Sequence, residues 1–501
     1  MMMPSQTGGD RQRKLIMAAV VTVTFLIALE GTVLNTAMPI IVSDLGGLKL
    51  MGWLVSVYLL ATAIATPVAG KAADLYGRKG VFMAGVSIFV VSCVLCGVAH
   101  NMAALIAYRA LQGIGAGFIL PVTYTMVADI YPFRMRAKAQ SLLSAAWGVS
   151  AVASPFTGGL IVDLLSWRWI FFMNLPFGLL AMAIVWRSFH ESAPKVKRRM
   201  AYGGAAAFSL GLLCFMTAVF LADGEPATRW PRYALSAAAA VFLLLFVHMQ
   251  WRSADPLVDL KLFKNPIVLL PNVGDFLLHI VLVAVNFYIP LWMQGMHGYG
   301  ASQSGLILLA MSVAWPIAAN RCGPLIERIG MRNVAIAGAL LACAATAGLA
   351  VPEWRYEPAA IVPLLLMLGF GFGLIFTVHA VSVQSAVEWG RRGSAVAAHN
   401  FTRQMGQVIG ITLLGYVMSG GMRAHQQNMK LDESILSEMN GLFGSHHGAQ
   451  LDPGLLEPMR ESLRAGLEPV FVALLVFAVL ALAFACLYPK KQQFYIDKEV
   501  E

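Results

Sequence analysis

The sequence predicts an all-α integral membrane protein, and three observations carry that expectation. Of 501 residues, 58% are hydrophobic and only 12% are charged, against about 25% charged in soluble globular proteins. The mean hydropathy is +0.70. The apolar residues gather into fourteen segments, each near the length of about 20 residues that a helix needs to cross a hydrocarbon core. Barrel strands are a poor alternative, because they alternate polar and apolar positions over about ten residues and these segments are apolar all round. A soluble enzyme and a disordered scaffold are excluded on the same grounds.

In chain order the segments run at roughly 15–40, 51–70, 80–99, 102–127, 139–161, 169–187, 200–222, 233–251, 265–294, 302–320, 333–351, 358–386, 396–421 and 467–488. The first is too long for a signal-peptide core, contains Glu30 and lacks a small-residue cleavage site, so it reads as a retained helix. An even number of crossings puts both termini on one side. With the N-terminus inside, 25 of the 36 Lys and Arg lie in the termini and inner loops, nine in outer loops, and two, Arg109 and Arg403, within helices. That bias predicts cytoplasmic termini. It also explains the net charge of +10 without a nucleic-acid surface. The six cysteines all lie in or beside apolar segments, so no disulfide framework is implied. The C-x-x-C of Cys93 and Cys96 reads as packing.

The chain repeats itself weakly. Gly70-Lys-Ala-Ala-Asp74-Leu-Tyr-Gly77-Arg78-Lys79 follows the second segment, and Gly323-Pro-Leu-Ile-Glu327-Arg-Ile-Gly330-Met-Arg332 follows the tenth. Each reads as a tight inner loop with a glycine, an acid, a second glycine and basic residues. Internal repeats mark transporter folds, with a binding site between them near the midplane. The repeat spans eight segments rather than six, which predicts six helices, two inserted ones and six more. The expected organisation is a cytoplasmic tail over 1–14, a six-helix bundle over 15–188, an inserted pair over 200–252, and a second bundle over 265–488 with an outer loop at 422–465. A cytoplasmic tail over 489–501 follows.

The Gly70–Lys79 stretch resembles the loop between helices two and three of the major facilitator superfamily. Leu29-Glu30-Gly31-Thr32-Val33-Leu34-Asn35-Thr36-Ala37-Met38-Pro39 is similar to the first-helix signature of its drug:proton antiporters. Arg109-Ala-Leu-Gln112-Gly113 resembles the fourth-helix motif, and Trp147-Gly148 through Ser154-Pro155-Phe-Thr-Gly158-Gly159 the fifth-helix antiporter motif. Two positions depart from the pattern: Glu30 stands where Asp is usual, and Ser154 where Gly precedes the proline. The resemblance covers nearly the whole chain and is to the fourteen-helix branch. It implies the major facilitator fold, two bundles rocking about a midplane cavity, and export of hydrophobic or cationic compounds in exchange for protons. It further implies no cofactor beyond the proton gradient, a lipid bilayer of the cell membrane (bacterial inner or cytoplasmic) as surroundings, and a monomer. It assigns Gly70, Asp74, Gly77, Arg78 and Lys79 to a charge network that latches the cytoplasmic side. Gly148, Pro155, Gly158 and Gly159 are tied to antiport. The alternatives are a proton-coupled exporter of a lipid or endogenous metabolite, or, from another class, a non-transporting membrane sensor.

Ionisable groups at membrane depth are costly and therefore functional candidates. Glu30 lies about 15 Å from the outer end of its helix by helical rise, where surroundings of low polarity disfavour its charged form. It reads as a proton-exchanging acid, or as one permanently held by a neighbouring donor. Arg109 cannot lose its charge and needs a carboxylate or carbonyl partner. Glu30 fits, directly or through Gln112, as a coupling pair or a static one. Asp275 sits about 13 Å into a helix that begins near Pro266, as a second proton site or an anchor for a cationic substrate. Alternatively it caps a helix that begins at Asp275 itself. His279 is placed to share its proton or simply to pack, and Arg403 to snorkel. Asn35, Gln112, Trp147, Asn286, Tyr288, His379 and Gln407 are polar or aromatic candidates for the cavity, each also readable as packing. The glycines of Gly113-Ile-Gly115-Ala-Gly117 and Gly369-Phe-Gly371-Phe-Gly373 follow no strand, and no phosphate-binding loop motif is present. ATP-driven transport is therefore not encoded. No catalytic or metal-ligand constellation is visible.

Overall fold

The computed structural model describes residues 10–131, 133–189, 202–221, 229–253, 256, 259–351, 358–387, 392–429 and 453–489. The expected tails over 1–9 and 490–501, the linker over 190–201 and the outer-loop residues 430–452 lie outside the described residues, as do the side chains of Asp74 and Pro155. The described residues form helices with no strand. The first seven are α1 (Asp10–Leu45), α2 (Met51–Tyr76), α3 (Arg78–Gly97), α4 (Met102–Ile130), α5 (Phe133–Leu164), α6 (Trp169–Phe172) and α7 (Asn174–Ser188). The others are α8 (Tyr202–Phe220), α9 (Arg229–Arg252), α10 (Pro266–His297), α11 (Ala301–Ile329), α12 (Met331–Ala350), α13 (Pro358–Ser385), α14 (Arg392–Met429) and α15 (Pro453–Cys486).

Among the described residues, twelve helices are long and apolar enough to cross a membrane. A thirteenth is made by Ala145–Ser154 and Phe156–Leu164 of α5, bent by 46°. The bend falls at position 155, a proline, which has no N–H for the helical hydrogen bond. The remaining predicted segment is α8, apolar over Gly203–Val219. Within the stretch 422–465 expected as an outer loop, α14 continues to Met429 and α15 begins at Pro453. Those extensions pack closely, with Gly421 against the Ala465 carbonyl and Gly466 against Met418 and Met422. The stretch Gly70–Lys79 is mostly helix rather than loop, since α2 runs to Tyr76 and α3 starts at Arg78.

The chain divides into two compact units, Met1–Ala205 and Ala206–Glu501. Within the first, α4 packs against α2 and α3, α1 against α5 and α7, and α3 against α7. The second repeats the scheme: α13 packs against α11 and α12, α10 against α14 and α15, and α12 against α15. Helices α8 and α9 contact α14 through Phe208, Phe246 and Phe401, with ring centroids 5.0 to 6.4 Å apart.

Each unit uses a glycine triplet to bring three helices together. A Cβ on Gly113 or Gly117 of α4 would overlap the Tyr58 or Thr62 carbonyl of α2, and one on Gly115 would meet the Phe89 backbone of α3. In the second unit Gly369 and Gly373 of α13 abut the Met311 and Trp315 carbonyls of α11, while Gly371 abuts Gly338 of α12. Small residues at such crossings let backbones approach where lipid offers no hydrophobic drive. These glycines, which superficially resemble a nucleotide loop, therefore serve packing.

The turn between α2 and α3 and that between α11 and α12 are one residue each. Gly77 has φ 100° and ψ 147°, and Gly330 φ 80° and ψ 155°, a region open mainly to glycine. Each caps the preceding helix through its N–H, to the Ala73 carbonyl at 3.1 Å and the Ile326 carbonyl at 2.9 Å. Two residues on, a base reaches the end of the unit's last helix. Lys79 Nζ donates to the Trp186 carbonyl at 2.6 Å, and Arg332 Nη2 to the Cys486 carbonyl at 2.7 Å. A cation at a helix C-terminus also meets the favourable end of its dipole.

Gly369→Val should lower the melting temperature of the detergent-purified protein, because overpacking a close backbone contact costs about 1–3 kcal/mol. Gly148→Ala should leave it unchanged, since a Cβ there meets nothing within 4 Å. Equal melting temperatures for the two variants would refute the close packing of α13 on α11.

Candidate functional site

Two buried polar clusters stand out, one inside each unit. The first is built on α1, whose apolar stretch carries a single acid, Glu30, fully enclosed. Arg109 of α4 meets it: Nη1 lies 2.9 Å from Glu30 Oε1 and 2.6 Å from Gln112 Oε1, one turn along α4. Arg109 Nε donates to the Leu54 carbonyl of α2 at 3.3 Å, and the guanidinium lies 4.2 Å from the centroid of the Tyr58 ring. The other carboxylate oxygen, Oε2, accepts from Asn174 Nδ2 of α7 at 2.8 Å. Gln112 in turn donates to Cys93 Sγ of α3 at 3.1 Å. Both carboxylate oxygens are thus engaged, and four helices contribute directly to the Glu30–Arg109 pair.

The second cluster begins on α10. That helix starts at Pro266, with the Asn265 side chain accepting from the Ile267 N–H at 2.9 Å, so Asp275 caps nothing and lies within the helix, fully buried. Its Oδ1 is 2.5 Å from His379 Nδ1 of α13, and its Oδ2 is 3.1 Å from His399 Nε2 of α14. His399 Nδ1 is 3.2 Å from Asn272 Oδ1. His279 does not reach the carboxylate: its Nδ1 faces the Asp275 backbone carbonyl at 2.8 Å, and its Nε2 accepts from Arg403 Nε at 2.9 Å. Arg403, expected to snorkel, is instead turned inward onto His279 and lies 5.7 Å from the Phe376 ring centroid.

The other sequence candidates are more scattered. His379, expected in the cavity, is a direct partner of Asp275. Asn35 is buried, and its Oδ1 has no hydrogen-bond partner among the described residues. Asn286 donates to the Leu282 carbonyl of its own helix, and Tyr288 is buried edge-on to Phe287. Gln407 is half-buried, while Trp147 and Gly148 are exposed. Gly158 packs against Val33 and Thr36 of α1, and Gly159 is buried. Gly70 lies in α2 with open space beside it. Arg78 forms an ion pair with Asp129 at the end of α4. Asn174, Asn272, His399 and Asp129 are functional-site residues beyond the sequence candidates; each is a polar residue within or at the edge of an apolar segment, which is the only sequence signal they carry.

The family model described as Major Facilitator Superfamily matches residues 20–411. The multidrug transporter protein MdtP of Bacillus subtilis (strain 168) is 32% identical over 432 residues, 86% of this chain and 79% of that protein. Multidrug resistance protein 3 of the same organism is 27% identical over 496 residues, 96% of each chain. Among solved structures, a bacterial homolog to the human lysosomal transporter Spinster superposes with a TM-score of 0.70 at 18% identity, covering 96% of this chain and 97% of that one. A D-xylose–proton symporter superposes with a TM-score of 0.62 at 14% identity, covering 94% and 97%. At those identities the structural likeness concerns the fold.

The first cluster makes a stability prediction. Removing one partner from a buried ion pair strands the other charge, at a cost of about 3–5 kcal/mol. Arg109→Met should therefore lower the melting temperature sharply, and the double variant Glu30→Leu/Arg109→Met should recover most of the loss. Additive losses in the double variant would mean that the two side chains do not interact.

Proposed function

The chain belongs to the major facilitator superfamily and is a multi-pass membrane transporter, not an enzyme; we propose that it exports hydrophobic, cationic compounds in exchange for protons, with Glu30 as the coupling acid. One observation carries the reading: a carboxylate sealed from water in mid-helix, whose ion-pair partner is supported by other acceptors. When Glu30 takes up a proton, Arg109 keeps Gln112, the Leu54 carbonyl and the Tyr58 ring face. The acid can change charge without stranding the guanidinium, which is what a reversible proton carrier needs and a purely structural pair does not. The multidrug names of the two Bacillus relatives support a drug-like substrate.

The remaining assignments follow from this reading. The chain crosses the membrane fourteen times with both termini cytoplasmic, as the placement of its basic residues argues. Gly70, Asp74, Gly77, Arg78 and Lys79 latch the cytoplasmic side, with Arg78 holding Asp129 and Lys79 holding the end of α7. Gly148, Pro155, Gly158 and Gly159 take the antiport role that the fifth-helix resemblance implies, with Gly158 packed against Val33 and Thr36 of α1. Asn35, Gln112, Trp147, Asn286, Tyr288 and Gln407 contribute to substrate contact. The protein needs only the proton gradient, and works as a monomer.

Inverted vesicles loaded with the full-length protein should take up ethidium, a monovalent fluorescent cation, when a proton gradient is imposed. Glu30→Gln should abolish that uptake and Glu30→Asp should retain it. Unaltered proton-driven uptake in Glu30→Gln would sink the assignment of Glu30.

A further inference from the structure

The second cluster contains three histidines around one aspartate, and their partners dictate different protonation states. His279 faces a carbonyl oxygen with Nδ1 and an arginine N–H with Nε2. A carbonyl only accepts and an arginine only donates, so Nδ1 carries the proton, Nε2 is bare, and His279 is locked as the neutral ring. His399 is in the opposite position. The Asn272 amide donates through Nδ2 to the Val268 carbonyl at 2.7 Å, which leaves its oxygen toward His399 Nδ1 at 3.2 Å. The other nitrogen, Nε2, lies 3.1 Å from Asp275 Oδ2. Both neighbours of His399 are oxygens, so a bare nitrogen at either position would set a lone pair against one of them; a proton on each avoids this, although Nε2 makes no directed hydrogen bond. His379 needs only one, on Nδ1, to meet Asp275 Oδ1 at 2.5 Å, and its Nε2 has no hydrogen-bond partner among the described residues.

We propose that Asp275, His379 and His399 form a second proton site in which the exchangeable proton resides on His399, so that the loaded site is neutral overall and the empty one carries a single negative charge. On unloading, the proton leaves from His399 Nε2 and the N–H bond pair stays behind as a lone pair facing the Asp275 carboxylate. The contact between α10 and α14 then changes from attraction to repulsion. The Nε2–Oδ2 approach lacks the direction of a good hydrogen bond, so charge rather than geometry holds it, and it is the weaker of the two contacts to Asp275. The groups facing the site are Arg403 and neutral His279 on one side, and Tyr488 stacked on His379 with a centroid distance of 5.9 Å on the other.

The site suits a proton rather than a larger ligand. Asp275, His379 and His399 are 0 to 3% exposed, and a Cβ on Gly274 would already press on His379 Cε1 at 3.0 Å. No group of three His, Cys, Asp or Glu among the described residues has the arrangement to hold a metal ion. The inference deepens the proton-coupled reading given above and rests on it for the direction of transport.

The charge state is open to direct measurement, independent of transport. Nitrogen-15 spectra of histidine-labelled full-length protein in lipid should contain an imidazolium signal that disappears in His399→Gln and persists in His279→Gln. If His399→Gln does not fold, Asn272→Leu removes the acceptor at Nδ1, keeps the ring, and should also lose that signal. A neutral His399 in the wild-type spectrum would overturn the proposal, whatever the transport result. In weakly buffered detergent, addition of tetraphenylphosphonium should release fewer protons from His399→Gln than from wild type, with the remainder lost only when Glu30→Gln is added. Equal release from His399→Gln and wild type would overturn the second site while leaving Glu30 coupling intact. No release from wild type would overturn the coupled reading, and this proposal with it.

Discussion

The guanidinium of Arg109 keeps its charge in any protein environment, and at membrane depth no water is available to solvate it. Every partner must come from the helices of the first unit. Glu30 arrives from α1, Gln112 from the same helix as the arginine, the Leu54 carbonyl and the Tyr58 ring from α2, and Asn174 steadies the far side of the carboxylate from α7. The rotation of these helices about their axes is constrained by that requirement. A helix turned by one residue would remove one of these partners.

Such convergence requires helices close enough for short polar side chains to span the gap. The glycine triplets supply it. Thr62 shows the consequence in the first unit: its hydroxyl lies 2.8 Å from the Tyr58 carbonyl of its own helix and 3.1 Å from the Gly113 carbonyl of α4. The second unit uses the same device at Gly369, Gly371 and Gly373, and the same one-residue turn at Gly330. The two units share a scaffold, yet differ in what it holds: an acid–arginine pair in one and an acid–histidine cluster in the other. An arginine retains its proton throughout, while a histidine can surrender one, so the two scaffolds hold chemically distinct polar clusters.

Much of this was legible in the sequence, for a physical reason. A bilayer forces backbone groups to satisfy one another within a segment, so long apolar runs read directly as helices, and any ionisable residue inside one is conspicuous. Glu30, Arg109 and Asp275 were visible in this way, as was the repeated Gly-acid-Gly-base pattern that becomes two matching turns. The roles of the histidines were not legible. His279, one turn from Asp275, was the natural proton partner by spacing, but the helix directs its ring to a backbone carbonyl. His399 lies in a segment of modest hydropathy, where a histidine is not conspicuous.

By itself, then, the sequence determined the membrane class, the run of helices, the repeat and the identity of the buried charges, because solvation cost acts locally on each segment. Only the tertiary structure decided the pairings. Glu30 and Asn174 are 144 positions apart, and Asn272 and His399 are 127 apart. Whether a buried group faces a donor or an acceptor depends on which neighbouring helix presents it, and that choice sets an arginine N–H against the His279 ring and two oxygens against the His399 ring.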